Sequence, residues 1–297
     1  MNVLVTGGLG FAGRYIVSDL VKRGHRVVSY NRDYSESDLA SVVVVQGELF
    51  DIPRLVTVMR EERVSAIVHT AAMSHPEVSI AVPITTFAAN VTGTLHVLEA
   101  AKMAGVGRFV NFSSECVYGD NPESISERIP VNPKTPYAVA KVCTEQLCHV
   151  YGSLYGLDAI SLRITEIYGR GLRMPEVMND MIKAVTAGRP FALEDGAEQK
   201  FHFVHVEDVA RAACLAVQTQ NRGVFNISGG PQARLGDVAS KILKRLPHAT
   251  IELGPGPIKG WDQQGPFDIT AARVALDYEP HWPLDDGIDD LLDYHKR

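Results

Sequence analysis

Short apolar runs rich in β-branched residues alternate, over the first part of the chain, with longer segments in which apolar residues recur at helical spacing. This alternation is typical of repeated strand–helix–strand units around a parallel sheet. The predicted strands span residues 2–6, 26–30, 42–46, 65–69, 108–112 and 158–163, and the predicted helices span residues 11–23, 51–61, 84–104 and 135–155. The pattern therefore predicts an α/β fold with a parallel sheet.

The regular alternation ends near Gly169, beyond which glycine and proline become more frequent and the candidate strands become short. Residues 254–266 contain four glycines and three prolines and are predicted to be a loop. Residues 207–219 have the apolar spacing of an amphipathic helix that returns to the core. The predicted parts are residues 1–169, joined by return elements at about 205–229, and a smaller C-terminal part formed by residues of about 170–204 and 230–297.

The composition limits the class of protein. The 297 residues include 29 Lys and Arg and 35 Asp and Glu, which gives a formal net charge of −6, and 45% of them are hydrophobic and 22% charged. This mix is typical of a soluble globular protein. An acidic chain without a long basic run is not expected to bind nucleic acid or an anionic membrane surface. No apolar run approaches the roughly 20 residues that cross a bilayer. We therefore expect a small-molecule substrate.

The cysteines and histidines give no metal pattern. Cys116, Cys143, Cys148 and Cys214 include no pair with the two-residue gap of zinc or redox motifs. His202 and His205 lie in a strand-like run that offers no third ligand. Residues 2–6 run directly into a glycine-rich turn, without room for an export signal. We expect free thiols in a reducing cytoplasm and no metal site.

A glycine-rich loop connects the first predicted strand to the first predicted helix. Gly7, Gly10 and Gly13 lack side chains, and the helix begins near Phe11. A bare backbone at the positive end of a helix lets a pyrophosphate approach closely. A plain tight turn would use the same glycines, but the position between a strand and a helix favours a dinucleotide site.

The residues at the end of the second predicted strand indicate whether the dinucleotide is NAD or NADP. NAD binders usually place an acidic residue here, where it accepts hydrogen bonds from the ribose hydroxyls. This chain has Asn31, which removes the charge that would repel a 2′-phosphate, and Arg32, whose planar fork suits that phosphate. We therefore expect NADP rather than NAD, with NAD kept as the alternative because Asp33 can serve the ribose from the next position.

A tyrosine and a lysine lie four residues apart within the predicted helix 135–155. At this spacing Tyr137 and Lys141 share one helix face. A tyrosine acts as a base near neutral pH only when a nearby cation favours the phenolate, and the ammonium of Lys141 is such a cation. The strand at 108–112 delivers Ser113 and Ser114 to the carboxyl edge of the sheet, where ligands bind in open α/β folds.

Together these motifs resemble the extended short-chain dehydrogenase/reductase family, and within it the NAD-dependent epimerase/dehydratase group, which includes sugar-nucleotide enzymes. The resemblance covers nearly the whole chain. Its marks are the loop at 6–13, Gly47-Glu48-Leu49, His69-Thr70-Ala71-Ala72, Ser74-His75, Asn90 to Thr94, Ser113 to Gly119, Tyr137 with Lys141, Leu162-Arg163 and Tyr168-Gly169. It implies a Rossmann-type, doubly wound parallel sheet with a small C-terminal α/β substrate-binding domain.

The resemblance also implies roles for single residues. Ser114, Tyr137 and Lys141 would be the catalytic trio. The expected cofactor contacts are Gly7, Gly10, Phe11, Gly13, Asn31, Arg32, Glu48, Leu49, Ala71, Ala72, Asn90, Tyr137 and Lys141. In the shared first step of the family, Tyr137 would remove a proton from a carbinol while hydride passes to the nicotinamide, leaving a ketone.

The fate of the ketone separates the possible activities. Returning hydride to the other face gives an epimerase, eliminating water gives a dehydratase, and releasing the ketone gives a dehydrogenase. Elimination needs both a proton donor and a base, and Cys116, beside Glu115, is a poor substitute for a carboxylate. We expect an epimerase acting on a sugar or sugar-nucleotide carbinol. The alternatives are a net NAD(P)-dependent dehydrogenase or reductase of a non-nucleotide sugar or secondary alcohol, and a non-catalytic dinucleotide sensor, against which the intact trio argues.

The substrate contacts are less defined. The candidates are Ser74, His75, Glu115, Cys116, Glu166 and Arg173. Many sugar-nucleotide enzymes of the family hold the diphosphate with an Arg where this chain has Phe201, and with a second Arg near Trp261-Asp262, where none is found. Glu166 replaces the usual Asn with a carboxylate that would repel phosphate or bind a polyol. Other cations, Lys200, Arg170, Arg173 and Arg234, are available as substitutes, so a nucleotide and a non-nucleotide substrate both stay open.

The two longest predicted helices, 84–104 and 135–155, have broad apolar faces. Packing against the sheet accounts for most of this apolarity. In the family that the chain resembles, these two helices commonly form the four-helix interface of a dimer. The resemblance therefore implies a homodimer through them.

Overall fold

A seven-stranded sheet forms the centre of the protein in a computed structural model, which describes residues 1–33 and 41–296. The strands are β1 (Asn2–Thr6), β2 (Arg26–Asn31), β3 (Val42–Gln46), β4 (Ala66–His69), β5 (Arg108–Ser114), β6 (Asp158–Ile164), β7 (Glu166–Tyr168), β8 (Phe191–Leu193), β9 (Lys200–Phe201), β10 (Phe203–His205), β11 (Gly223–Ile227), β12 (Ala233–Arg234) and β13 (Ile251–Leu253). The central sheet has the order β11-β6-β5-β4-β1-β2-β3, and all of its neighbours are parallel. The predicted Rossmann-type, doubly wound sheet is confirmed.

Eleven α-helices accompany the strands over the described ranges. They are α1 (Phe11–Lys22), α2 (Ile52–Glu61), α3 (Pro76–Ala81), α4 (Pro83–Phe87), α5 (Gly93–Ala104), α6 (Pro136–Tyr155), α7 (Val177–Thr186), α8 (Val206–Gln218), α9 (Leu235–Arg245), α10 (Thr270–Leu276) and α11 (Leu284–His295). Within residues 1–33 and 41–296, no helix is long and apolar enough to span a bilayer.

The elements predicted up to residue 169 are confirmed, with ends shifted by at most two residues. The helix predicted at 207–219 also forms, as α8, and residues 254–266 contain neither helix nor strand. The helix predicted at 84–104 forms as one continuous run from Pro83 to Ala104, with a π-helical turn at Ala88–Thr92 between α4 and α5 that the pattern does not predict. This wide turn carries Asn90 into the interior, where its amide pairs with the backbone of Met73.

Two apolar clusters cover the two faces of the central sheet. Side chains alternate along β1, so that Val3 and Val5 join the cluster under α1 and α8, while Leu4 joins the cluster under α2, α5 and α6. A third cluster is formed mainly by α7, α9 and α11. Helix α10 lies in the sequence beyond residue 230, yet Ala272 and Leu276 belong to the first cluster. The division into two domains stays a prediction.

A buried ion pair ties helix α6 to strand β6. Arg163 donates two hydrogen bonds to the carboxylate of Glu145, at 2.7 and 2.9 Å, and a third to the hydroxyl of Tyr118 at 2.8 Å. Ser113 donates to the same carboxylate at 2.5 Å. The side chains of Arg163 and Glu145 are only 7% and 3% exposed, so each charge depends on the other.

Replacing Arg163 by Met is expected to lower the free energy of unfolding by about 3–5 kcal/mol, because the buried carboxylate of Glu145 loses its partner. Arg273 is the matched control, since it forms a similar pair with Glu279 whose side chains are 49% and 56% exposed. Arg273→Met is expected to cost about 1 kcal/mol or less. Urea denaturation measures both changes, and an equally small loss for the two variants would contradict the assigned role of the buried pair.

Candidate active site

Within the glycine loop after β1, backbone atoms of different residues lie in close contact. Gly7 has φ +71°, a conformation that side chains rarely adopt. A Cβ on Gly13 would lie 2.0 Å from the carbonyl oxygen of Gly7. The amide of Gly10 donates to that same oxygen at 2.8 Å. The loop therefore presents bare backbone at the start of α1, and Phe11 begins the helix, as a pyrophosphate cradle requires.

Asn31, at the end of β2, holds this glycine loop by a hydrogen bond. The side chain of Asn31 accepts a hydrogen bond from the amide of Leu9 at 2.9 Å and donates to Ser29 Oγ at 2.9 Å. Asn31 is buried, whereas the side chain of Arg32 is 76% exposed and lies 3.8 Å from the carboxylate of Asp33. Asn31 thus positions the glycine loop, and Arg32 follows it at the end of β2.

The end of β4 completes the cofactor side. Thr6 and His69 are paired in register across β1 and β4, where the strand order of the sheet reverses, and ligands bind at such switch points. His69 bonds Thr6 Oγ1 through Nδ1 at 2.7 Å and Thr94 Oγ1 through Nε2 at 2.9 Å. Burial lowers the pKa of His69 to about 3, so the ring is neutral.

The remaining expected cofactor contacts lie around this edge. Asn90 holds the loop after β4 through its two hydrogen bonds to Met73, at 2.7 and 3.0 Å. Ala71 lies against Gly7, and its amide is 3.4 Å from Thr6 Oγ1. Ala72 and Glu48 are exposed, and Leu49 is half-buried. Gly47 is needed before Glu48 because a Cβ there would lie 2.1 Å from the hydroxyl of Tyr30.

The start of helix α6 is fixed by two hydroxyl side chains. Thr135 accepts a hydrogen bond from the amide of Ala138 at 3.2 Å and caps the helix. Ser79, from α3, accepts from the amide of Tyr137 at 3.0 Å and is 1% exposed. The local sequence around Ser79 does not predict this role, because its partner lies 58 residues away in the chain.

Ser114, Tyr137 and Lys141 come together as expected. Ser114 is the last residue of β5, and its hydroxyl accepts from the amide of Cys116 at 3.2 Å. The Lys141 ammonium donates to the carbonyl of Phe112 at 2.5 Å and lies 5.5 Å from the centroid of the Tyr137 ring. Ser114, Tyr137 and Lys141 are 8%, 7% and 6% exposed, so any proton transfer between them takes place away from bulk water.

Burial sets the charges of the trio. It raises the pKa of Tyr137 above its ordinary value, Cys116 raises it further, and the Ser114 hydroxyl opposes both through a hydrogen bond. Burial lowers the pKa of Lys141 to about 8, against the attraction of Cys116 and Glu145. Tyr137 is therefore a neutral phenol in the isolated protein, next to an ammonium that titrates near physiological pH.

Acidic and thiol side chains border the trio on the substrate side. Burial, followed by the charges of Glu166 and Asp262, raises the pKa of Glu115 well above its ordinary value. Burial also raises the pKa of Glu166 to about 7 and, with Glu115, that of Cys116 to about 12. Cys116 is thus a neutral thiol at neutral pH, and burial favours the protonated form of Glu115.

The C-terminal part closes this side of the site. Glu176 caps α7 by accepting from the amides of Met178 and Asn179, at 2.8 and 2.9 Å, and burial raises its pKa to about 8, with Glu166 adding to the effect. Phe201 is 6% exposed and lies edge-on to Trp261, with ring centroids 5.5 Å apart.

The other candidate substrate residues lie at the rim. Ser74 is exposed, and its hydroxyl is 3.1 Å from the sulfur of Met174. His75 precedes α3, and its Nδ1 is buried without a hydrogen-bond partner in the described ranges. Arg173 is exposed in the loop before α7. Among the described residues, no group of three His, Cys, Asp or Glu is placed to hold a metal ion.

The sequence model of the NAD dependent epimerase/dehydratase family matches residues 3–228. The chain belongs to this family. The predicted resemblance is confirmed, and the chain is thereby an enzyme of the extended short-chain dehydrogenase/reductase type.

Individual members of the epimerase/dehydratase family match over the full length. A dTDP-glucose 4,6-dehydratase from Streptomyces niveus is 29% identical, over 100% of this chain and 93% of the relative. A UDP-glucose 4-epimerase from Mycolicibacterium smegmatis is 29% identical, over 100% and 99%. The crystal structure of Thermus thermophilus UDP-glucose 4-epimerase with NAD superposes with a TM-score of 0.89, at 28% identity and 99% coverage of both chains.

This epimerase/dehydratase family member has a cradle that fits a nicotinamide dinucleotide. The fit rests on the space left by Gly7, Gly10 and Gly13 at the N-terminus of α1, since a Cβ on Gly13 would collide with the Gly7 carbonyl and push the loop outward. It rests also on the buried neutral ring of His69, which fixes the neighbouring strand ends without adding charge. A nicotinamide dinucleotide is therefore the cofactor class that these residues accommodate.

Proposed function

We propose that the protein is an NAD(P)-dependent epimerase that transiently oxidises the carbinol of a sugar-type substrate. The observation that carries this proposal is the convergence of Ser114, Tyr137 and Lys141, each buried, at the sheet edge that also holds the glycine cradle. The epimerases among the full-length relatives support it. A bound nicotinamide would accept hydride from the carbinol carbon and later return it.

The trio provides the proton chemistry of this reaction. Ser114 orients the substrate oxygen by a hydrogen bond, and Tyr137 removes the hydroxyl proton as the carbon is oxidised. Because burial holds Tyr137 neutral, its ionisation depends on a nearby cation, and the ammonium of Lys141 lies 5.5 Å from the centroid of its ring. Lys141 itself is held by the carbonyl of Phe112. Epimerisation follows when the ketone turns its other face before it is reduced.

The residues beside the trio disfavour water elimination, although some full-length relatives are dehydratases. A dehydratase needs an acid and a base near adjacent carbons. Glu115, whose pKa is raised, is a suitable acid. Its neighbour Cys116 has a pKa of about 12 and is no base at neutral pH. The site is therefore equipped for oxidation and reduction at one carbon.

Tyr137→Phe is expected to reduce turnover by about 10²-fold or more, since the proton acceptor is lost, while cofactor affinity changes little. Wild-type enzyme and variant would be incubated with NAD or NADP and a panel of sugars and nucleotide sugars, followed by isomer analysis and absorbance of reduced cofactor. Isomer formation without net reduction supports the epimerase. If the wild-type enzyme instead gives a steady increase in the absorbance of reduced cofactor, it is a dehydrogenase. If it binds cofactor but converts no substrate, it is a sensor.

We further propose that NADP is preferred to NAD. Asn31 brings no negative charge to the end of β2, and the side chain of the adjacent Arg32 is 76% exposed, 3.8 Å from Asp33. A guanidinium in this position can form charge-assisted hydrogen bonds to a 2′-phosphate.

Arg32→Ala is expected to weaken NADP binding by about tenfold or more, because a hydrogen bond to the charged 2′-phosphate is lost. NAD binding is expected to change by less than about twofold. Arg60→Ala is the control, because Arg60 is an exposed arginine that bonds the Met103 carbonyl on another helix. Isothermal titration with both cofactors measures the effect. Equal losses for NADP and NAD would reject the preference.

We also propose a homodimer through α4, α5 and α6. Ile84 on α4 is 85% exposed and Leu154 on α6 is 68% exposed, and Ile80 on the neighbouring α3 is 64% exposed. Val139 and Val150 continue the stripe along α6. An apolar patch of this kind on adjacent helices is typical of a subunit interface.

Ile84→Glu is expected to convert the dimer to a monomer, because a charge would be buried at the interface. Val274→Glu is the matched control, since Val274 is 83% exposed on α10, away from this face. Light scattering coupled to size-exclusion chromatography gives the masses. A monomeric wild-type protein, or a dimer that tolerates Ile84→Glu, would refute the interface.

A further inference from the structure

Helix α6 begins with a backbone amide that neither the helix nor its cap satisfies. The first amides of a helix have no partner within the helix. Pro136, the first residue of α6, has no amide hydrogen, and the side chain of Thr135 accepts from the third residue, Ala138. The second residue is Tyr137, whose side chain is the phenol of the trio. Because Tyr137 is 7% exposed, its amide needs an acceptor from another part of the protein.

Ser79, on α3, provides this acceptor. Its hydroxyl accepts from the amide of Tyr137 at 3.0 Å and donates to the carbonyl of Pro76 at 2.5 Å. Since the single hydroxyl proton is used on Pro76, the lone pairs of the oxygen are free for the amide, and the direction of both hydrogen bonds is defined. Ser79 is only 1% exposed, so bulk water does not replace it as the acceptor.

Helix α3 is connected to the wall of the cofactor cradle. It follows the loop after β4, in which Ala71 lies against Gly7 of the glycine loop. Further along this loop, Met73 is bonded through both of its backbone groups to the side chain of Asn90. The hydrogen bond from Ser79 therefore ties the first turn of α6 to the side of the site that accommodates the cofactor.

The other attachments of α6 lie further along the helix. Lys141 donates to the Phe112 carbonyl at 2.5 Å, and Glu145 forms the buried pair with Arg163. These contacts hold α6 against β5 and β6, but they act about one and two turns beyond Tyr137. Helix ends fray when their amides are left without partners. The first turn, which carries the phenol, therefore needs an attachment of its own.

We propose that Ser79 is a positioning residue for Tyr137: its hydrogen bond to the Tyr137 backbone holds the phenol where proton transfer with the substrate hydroxyl takes place. Ser79 acts through Tyr137 and takes no part in the proton transfer itself. This inference rests on the proposed function, because it concerns the proton acceptor of the same reaction.

A contact of this kind affects the rate of the reaction more than the binding of ligands. Proton transfer needs a distance of about 2.6–3.2 Å between the two oxygens, and a misplacement of about 1 Å can lower a rate about 10²-fold. The cofactor cradle lies on a different element, at the start of α1. Loss of the Ser79 hydroxyl is therefore expected to lower kcat and to leave KM and cofactor affinity nearly unchanged.

Two variants separate this role from the general effect of losing a buried hydroxyl. Ser79→Ala removes the acceptor and leaves no large cavity. Thr86→Val is the matched control, because Thr86 is fully buried on α4 and its hydroxyl donates to the Val82 carbonyl of the preceding turn at 3.0 Å. Each variant lacks one buried hydroxyl, but only Ser79→Ala leaves the amide of Tyr137 without its acceptor. Thermal melting verifies that both variants are folded.

The position of the phenol is measured first, without turnover. The full chain is loaded with NAD and labelled with carbon-13 in its tyrosine rings, and the NMR signal of Tyr137 is identified by its loss in Tyr137→Phe. This signal is expected to shift or broaden in Ser79→Ala and to stay as in the wild type in Thr86→Val. An unchanged signal in Ser79→Ala would overturn the inference.

The rate is then measured with UDP-glucose, or with the fastest substrate of the sugar panel if UDP-glucose is not converted. Ser79→Ala is expected to lower kcat about tenfold or more and to change KM and NAD affinity by less than about twofold, whereas Thr86→Val keeps the wild-type kcat. In the Tyr137→Phe background, Ser79→Ala is expected to change the residual rate by less than about twofold, because the phenol that it positions is absent. An equal loss in both backgrounds would show a general structural effect and reject the positioning role.

These outcomes distinguish the inference from the proposed function. If the wild-type protein converts no sugar of the panel, the epimerase is rejected, and the NMR signal alone decides whether Ser79 positions Tyr137. If the wild type isomerises a sugar and Ser79→Ala keeps its kcat, the inference is overturned and the epimerase stands. A shifted signal together with a loss of kcat that requires Tyr137 supports both.

Discussion

One face of helix α6, held against the ends of β5 and β6, fixes the geometry on which the site depends. Tyr137, Lys141 and Glu145 follow one another at intervals of four residues, so they project from the same face. Lys141 bonds the carbonyl of Phe112, and Glu145 bonds Ser113 and Arg163. The same buried contacts that stabilise the fold therefore place the phenol beside Ser114.

Removal from water then determines the chemistry that this geometry supports. Burial keeps Tyr137 and Cys116 protonated and brings the pKa of Lys141 to about 8. A phenol with one neighbouring ammonium is suited to give and take a proton at a single oxygen, whereas a neutral thiol cannot complete an elimination.

The sequence predicted the parts of the fold and site that depend on local pattern. Strand and helix periodicity, the glycines at 7, 10 and 13, and the spacing of Tyr137 and Lys141 are properties of short segments. It did not predict Ser79 capping the amide of Tyr137, Arg163 pairing with Glu145, or the π-turn at Asn90. These features arise from contacts between residues distant in the chain. Helix α10 likewise joins the central core because of tertiary packing that its own sequence does not indicate.

In the proposed reaction, the site inverts a carbinol by oxidising and re-reducing the same carbon. A sugar that the enzyme isomerises would be prepared with deuterium on that carbon and converted in ordinary water, and the product would be examined by NMR. Because the hydrogen of the carbon moves as hydride and only the hydroxyl proton passes to Tyr137, the deuterium is expected to remain in the epimerised product. Loss of the deuterium to water would show that the carbon is deprotonated instead, and would contradict the account.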